Sequence, residues 1–301
     1  MQKSLKKRDL ISISDLSKGE IELILETAQK IKRKEKPPSL KGKILASCFF
    51  EPSTRTRLSF EAAMIRLEGS VIGFHDQAIT SMKKGESLFD SMKVIGSFAD
   101  LIVIRHPQEG AARLAAEGAD VPVINGGDGA NQHPTQTLVD LFTIQECQGQ
   151  IEHLHIALAG DLKYGRAIHS LSLALAHYQS RLYFVSPESL HLPEEISQEL
   201  KRKGVKFSFH ERIEEIVPKV DILYLSRIQK ERFAESTEKV VNPCRLLKKH
   251  LDKAKPNLKI LHPLPRVDEM EMGLETLPSA YFFEQAANGI PVRMALLSLI
   301  A

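Results

Sequence analysis

Phe49-Phe50-Glu51-Pro52-Ser53-Thr54-Arg55-Thr56-Arg57-Leu58-Ser59-Phe60-Glu61 joins a stretch that reads as a buried strand to one that reads as a helix. Lys43 to Phe50 is mostly apolar, with Ile44, Leu45, Ala46 and Cys48, and suits a parallel strand covered on both faces. Pro52 ends the strand and biases Glu51 away from helix. Ser53 or Thr54 is placed to cap the helix after it. Leu58, Ala62 and Ile65 recur at helical spacing, and Gly69 offers a stop. Three hydroxyls and two guanidiniums therefore crowd the first turn of a helix, where free backbone N–H groups and the positive dipole end also lie. That combination suits a small, doubly charged oxyanion such as a phosphate. The plainer and less favoured reading of a bare Ser-Thr-Arg-Thr run is a well-capped helix with solvated arginines.

Outward from this turn, strands and helices alternate. Residues 14–33 read as an amphipathic helix begun by Ser14 or Asp15, with Ile21, Ile24, Leu25, Ala28 and Ile31 as its stripe. Strands are expected at 71–74, 101–104 and 121–125, with helices at 86–98 and 110–117. The pattern restarts with a helix from Thr135. Further strands are expected near 155–160, 181–186, 205–209, 221–226 and 258–262, with helices at 166–177 and 193–203. Alternation of this kind predicts an α/β chain of two domains, each a parallel sheet flanked by helices. The expected division is 1–134 and 135–301. The apolar C-terminal helix, about 286–301 with its regular part from Pro291, is expected to pack back on the first domain.

The totals exclude several classes. A chain of 301 residues is long enough for two cores. A net charge of +3 argues against a nucleic-acid binder, and the basic runs Lys3–Arg8 and Lys30–Lys36 read as solvated faces. Cys48, Cys147 and Cys244 form no Cys-x-x-Cys and point to a reducing compartment. No run reaches membrane-spanning length and no signal-peptide core comes after the N-terminal lysines, so the expected place is the cytoplasm. No metal site is expected: His153 and His155 alternate with no further ligands nearby.

In open parallel sheets, ligands bind beyond the carboxyl ends of the strands. The segments there are Ser53-Thr54-Arg55-Thr56, Arg105 to Gly110, His133-Pro134-Thr135-Gln136, Asp161 to Arg166, Ser226-Arg227-Ile228-Gln229 and His262-Pro263-Leu264-Pro265-Arg266. Five of the six carry an arginine, which predicts a pocket for several negative charges, since the guanidinium fork suits phosphate and carboxylate.

These six motifs, in order and over nearly the whole length, resemble the catalytic chains of the aspartate carbamoyltransferases, within the aspartate/ornithine carbamoyltransferase superfamily. The resemblance implies transfer of the carbamoyl group of carbamoyl phosphate to the amine of L-aspartate, an early committed step of pyrimidine biosynthesis, without a cofactor. It implies that the first domain binds carbamoyl phosphate and the second L-aspartate. By it, Ser53, Thr54, Arg55 and Thr56 hold the phosphate, and Arg105, His133 and Gln136 hold the carbamoyl end. Arg166, Arg227 and Gln229 hold the aspartate carboxylates. Pro263 and Leu264 supply backbone carbonyls. Ser81 and Lys84 lie on a polar loop that otherwise reads as an exposed turn. By resemblance they act in a neighbouring subunit of a homotrimer, Lys84 touching both substrates. Arg55, Thr56, Lys84, Arg105 and His133 are the expected catalytic group. A separate zinc-bearing regulatory chain, completing a dodecamer, is left open.

Ornithine enzymes typically carry His-Cys-Leu-Pro where this chain has His262-Pro263-Leu264-Pro265, and an Asp…Ser-Met-Gly element not found here. Charge agrees, because Arg166, Arg227 and Lys84 suit a dicarboxylate. A non-catalytic scaffold homologue would have lost some of these positions. A nucleotide-binding enzyme fits less well, since Gly160 to Arg166 lacks the Lys-Ser/Thr of a P-loop. The region Phe233–Asn242 departs from the family pattern.

Overall fold

The computed structural model describes residues 4–76, 81–228 and 244–301. The chain divides into two units, one of residues up to Phe142 together with Asn288–Ala301, the other of Thr143–Ala287. Among the described residues no helix is long and apolar enough to cross a membrane.

The first unit opens with a short 3-10 turn, Ile13–Asp15, and then α1, Lys18–Lys32. The α-helix begins later than Ser14 because Ser12 and Asp15 cap the 3-10 turn instead. Ser17 caps α1 in a reciprocal box with Glu20, its backbone N–H donating to the carboxylate at 2.8 Å. The sheet consists of β1 (Ile44–Phe49), β2 (Ser70–Phe74), β3 (Leu101–His106) and β4 (Val123–Asp128). All pairs are parallel, in the order β2-β1-β3-β4. Leu45 to Phe49 are all buried, as a central parallel strand requires. Around the sheet lie α2 (Thr54–Arg66), α3 (Leu88–Gly96), α4 (Ala111–Gly118) and α5 (Pro134–Gln148). Ala46, Cys48, Ile102 and Ile104 pack with Met92, Ala112 and Ala115 in one core.

Helix α2 corrects the expected stripe. Its buried face is Thr56, Phe60, Ala63 and Met64, whereas Leu58 and Ile65 are 49% and 63% exposed. Gly69 is also not the residue that turns the chain: Glu68 takes the left-handed conformation, at φ 67°. A Cβ at Gly69 would press on the flexible end of the Met64 side chain, at 2.3 Å.

The second unit holds β5 (His155–Ala159), β6 (Arg181–Val185), β7 (Phe207–His210), β8 (Ile222–Leu225) and β9 (Lys259–Leu261). They form a parallel sheet in the order β7-β6-β5-β8-β9. Helices α6 (Arg166–Leu175) and α7 (Glu194–Arg202) come after β5 and β6. The last helix, α8, spans Phe282–Ile300, so Pro291 lies inside it rather than at its start. From Asn288 onward α8 belongs to the first unit, where the Lys7 backbone N–H donates to the Ile300 carbonyl at 2.8 Å.

Candidate active site

Both strand orders contain a reversal. In the first sheet the chain winds outward in opposite directions from β1 and β3; in the second it does so from β5 and β8. Loops leaving adjacent strands at such a point diverge and leave a crevice at the carboxyl ends, where ligands of parallel sheets bind. The sequence puts Ser53–Thr56 and Arg105 at the first point, and Asp161–Arg166 and Ser226–Arg227 at the second.

At the first point, the Phe50 backbone N–H donates to the Arg105 carbonyl at 2.8 Å, extending the β1–β3 pairing to the edge of the turn. Ser53 stands at the N-cap of α2 in extended conformation, but its hydroxyl makes no capping bond. The N–H groups of the first turn are therefore left for an anion. Arg55 and Arg57 separate here. Arg57 donates to Glu61 one turn on, at 3.2 Å. Among the described residues no carboxylate pairs with Arg55, whose pKa is drawn below the usual guanidinium value by desolvation yet leaves it cationic at neutral pH. Ser53, Thr54 and Arg57, with Glu51, His75 and Asp76, line a cavity of about 430 Å³.

Thr56, Arg105 and His133 are brought together in this unit. Thr56 and His133 are both buried, with Thr56 Oγ1 3.5 Å from His133 Nε2. His133 Nδ1 lies 3.5 Å from Thr135 Oγ1, so both ring nitrogens face hydroxyls that can donate or accept. Arg105 lies within β3, one residue inside the strand end rather than after it. It donates through Nε to Glu51 at 2.6 Å and through Nη1 to the Gly126 carbonyl at 3.4 Å. Gln136, in the first turn of α5, donates through Nε2 to Asp140 at 2.8 Å. Sequence reading missed Glu51 and Asp140. The signals were there: Glu51 stands between a buried strand and a proline, and Asp140 interrupts Leu138-Val139-Asp140-Leu141-Phe142 one turn after Gln136.

At the second point, Gly160 takes φ 114°, and a Cβ there would lie 2.1 Å from the Ser226 carbonyl oxygen. Only glycine lets the ends of β5 and β8 approach so closely. The buried Asp161 receives the Tyr164 N–H at 2.9 Å and shapes the turn that delivers Arg166, half-buried, to the start of α6. Arg227, also half-buried, comes after β8. Beyond β9, His262 accepts the Leu264 N–H on Nδ1 at 2.8 Å and places Nε2 2.7 Å from Glu269. Pro263 and Leu264 are thereby held half-buried, with Leu264 at φ 56° before a cis Leu264–Pro265 bond.

Arg266 corrects the expectation of five ligand-facing arginines. Its Nη1 is 2.7 Å from Glu275, and its guanidinium lies over the Phe282 and Phe283 rings. Arg266 holds the Glu275 carboxyl down at about 2. The other four arginines keep their places at or beside the strand ends. Lys84 is exposed on a 3-10 turn, Ser81–Lys84. The Ser81 side chain, Gln229 and Phe233–Asn242 fall outside the described residues. Burial pushes the thiols of Cys48, Cys147 and Cys244 up to about 12, so none of them is an activated nucleophile. Among the described residues no group of three or more His, Cys, Asp or Glu side chains is placed to hold a metal ion.

Comparison with known proteins bears directly on these crevices. Residues 8–146 match the family model described as the aspartate/ornithine carbamoyltransferase, carbamoyl-P binding domain. Residues 152–300 match its Asp/Orn binding domain. The aspartate carbamoyltransferase catalytic subunit of Chromobacterium violaceum is 53% identical over 295 residues, 98% of each chain. Catalytic subunit 2 of Shewanella halifaxensis is 54% identical over 302 residues, covering 100% of this chain and 97% of that one. Among solved structures, the catalytic subunit of M. jannaschii aspartate transcarbamoylase superposes with a TM-score of 0.88 at 49% identity, covering 97% of both chains. The Trypanosoma cruzi enzyme in complex with carbamoyl phosphate and aspartate gives 0.92 at 35% identity, covering 98% of this chain and 97% of that one. Two domain models that span residues 8–300, and relatives that match end to end at more than half identity, lead to one conclusion: the chain belongs to the aspartate/ornithine carbamoyltransferase family.

Proposed function

We propose that this chain is an aspartate carbamoyltransferase, with the neutral amine of L-aspartate attacking the carbamoyl carbon of carbamoyl phosphate. The C–N bond forms, the bond from the carbamoyl carbon to the bridging oxygen breaks, and the departing phosphate leaves with that oxygen and takes the proton the amine gives up. The single observation that carries the reading is the first switch point, where an uncapped helix N-terminus, an Arg55 held by no carboxylate among the described residues, and the Thr56–His133 pair share one strand end with Arg105. It is supported by the named catalytic-subunit relatives at 53–54% identity over the whole chain.

In this reading Ser53, Thr54, Arg55 and Thr56 bind the phosphate, with Ser81 and Lys84 contributed by a neighbouring copy. Thr56, Arg105 and His133 donate to the carbamoyl oxygen as it gains charge, an oxyanion-hole role. Arg55 neutralises the bridging oxygen as phosphate departs. Gln136 and the Pro263 and Leu264 carbonyls take the carbamoyl amino group. Arg166, Arg227, Gln229 and Lys84 take the carboxylates of aspartate. The chain works as a cytoplasmic homotrimer. Support for assembly comes from apolar side chains left open on the first unit, among them Ile65 at 63%, Phe98 at 60% and Val94 at 49% exposure. A zinc-bearing regulatory chain on a second surface is the finer form of this proposal.

The test offers the purified chain carbamoyl phosphate with L-aspartate and, in parallel, L-ornithine, while light scattering reports mass. Carbamoyl-aspartate from a particle of three copies is expected. Citrulline, or no product from either amine, would overturn the catalytic reading, and a monomeric active chain would overturn the shared site.

A further inference from the structure

Helix α5 carries a charge where the core would ordinarily exclude one. Asp140 is fully buried between Val139 and Leu141, and its carboxylate receives the Gln136 Nε2–H at 2.8 Å. A buried carboxylate needs compensating charge and donors. The charge comes from Arg293, on the part of α8 that belongs to the same unit. Arg293 is itself only 4% exposed, and its guanidinium lies 5.1 Å above the Phe60 ring of α2. Desolvation brings its pKa down to about 10 while the field of Asp140 raises it, so it stays cationic at neutral pH. Neither residue belongs to the substrate-binding set described above.

The consequence falls on the orientation of one amide. A carboxamide has a donor end and an acceptor end, and a carboxylate accepts only. Bonded to Asp140, the Gln136 side chain must turn Nε2 toward the carboxylate and leave Oε1 facing away. Gln136 lies in the first turn of the helix that starts beside His133, and its backbone N–H donates to the His133 carbonyl at 3.0 Å. In the functional reading given above, on which this inference rests, Gln136 meets the carbamoyl end of the donor. An oxygen presented there matches an amino group and has nothing to offer a methyl group. We propose that Asp140, with Arg293 balancing its charge, is a positioning residue that fixes the Gln136 carboxamide oxygen toward the donor and thereby sets the preference for carbamoyl phosphate over acetyl phosphate. These two donors differ only in NH₂ against CH₃, and sites built to hydrogen-bond a group discriminate strongly against an analogue that lacks it.

The experiment measures dissociation constants of carbamoyl phosphate and acetyl phosphate for the full-length chain and for Asp140→Asn, Gln136→Ala and the double variant. Asparagine keeps the size of Asp140 but can donate as well as accept, so Gln136 no longer has one orientation. Asp140→Asn should weaken carbamoyl phosphate by roughly threefold to tenfold, the worth of one hydrogen bond, and leave acetyl phosphate nearly unchanged. Within the Gln136→Ala background the same substitution should not move the ratio further. A general loss of structure would weaken both ligands together and would overturn the assignment, as would an unchanged ratio or an equal effect without Gln136. If Asp140→Asn does not fold, glutamine-labelled wild type decides by NMR. The Gln136 side-chain amide protons should exchange slowly without ligand, and fast exchange overturns the proposal. Wild-type turnover on aspartate is the control that separates the two readings. No turnover defeats the functional reading, whereas turnover with an unmoved ratio defeats only the role of Asp140.

Discussion

Replacing Arg55 by alanine removes the one guanidinium of the Ser53–Arg57 turn that no carboxylate among the described residues holds. The uncapped N–H groups of α2 and its positive end remain, as do Ser53, Thr54 and Thr56, so phosphate affinity should fall by only about tenfold, one charge-assisted hydrogen bond. The rate should fall much further. Arg55 is assigned to the charge that grows on the bridging oxygen, and losing one preorganised donor of that kind costs ~2.7–4 kcal/mol, or roughly 10²–10³ in kcat. Arg57 is the internal control, two residues along the same turn. Its guanidinium is engaged by Glu61 at 3.2 Å, both side chains partly exposed, so Arg57→Ala should cost about 0.3–0.5 kcal/mol of stability and little activity. The assay is steady-state formation of carbamoyl-aspartate beside equilibrium binding of inorganic phosphate. An Arg55→Ala rate within a few fold of wild type would refute the reasoning, and so would equal losses from the two arginines.

The His262–Glu269 contact should be a stability determinant of the second unit. Both side chains are 1% exposed, and removing the carboxylate that receives this buried hydrogen bond, by Glu269→Ala, should cost about 1.5–3 kcal/mol in urea denaturation. Burial raises the Glu269 carboxyl, but the hydrogen bond from His262 and the backbone N–H of Val267 together bring it below its ordinary 4.5. A lowered folded-state pKa contributes stability above about 4.5 and loses it as pH falls through the folded value, so wild type should steepen its acid destabilisation there relative to Glu269→Gln. Identical acid limbs would count against the pair. Gly160→Ala places a Cβ 2.1 Å from the Ser226 carbonyl at φ 114°, and should cost at least about 1–3 kcal/mol; an unshifted thermal midpoint would show that β5 and β8 do not need that approach.

The alternation of strands and helices was legible because parallel strands buried on both faces are short apolar runs between turn signals. The pairing order was not, since strand neighbours are set by crossovers over tens of residues. Errors have local causes. Helix α2 carries two apolar sets at helical spacing, Leu58, Ala62 and Ile65, and Phe60, Ala63, Met64 and Leu67; periodicity alone does not say which one meets this chain's own core. Pro291 suggested a helix start because proline suits a first turn, but α8 begins nine residues earlier, at Phe282. Arg266 looked like its fellows because a motif names residues and not their partners, and Glu275 lies nine residues away. Ser53, Arg55, Arg105 and Arg166 stood out because each lies just past a strand or at its end. Asp140 and Arg293 did not, because a charge that acts inside a core leaves no mark in the sequence beyond its oddness there.

The passage of α8 from one unit into the other has a consequence for how the protein is made. Segment Asn288–Ala301 brings Arg293 over Phe60 and pairs Ile300 with Lys7, yet it is synthesised after the whole of the second unit. The ribosome therefore delivers the whole first sheet long before the helical piece that packs with it. Domains that form as they emerge ordinarily finish in order from the N-terminus. Here the first unit must wait for a segment made only after the second unit, and a nonsense codon between the second sheet and Asn288 would injure the packing of the first unit, encoded far upstream.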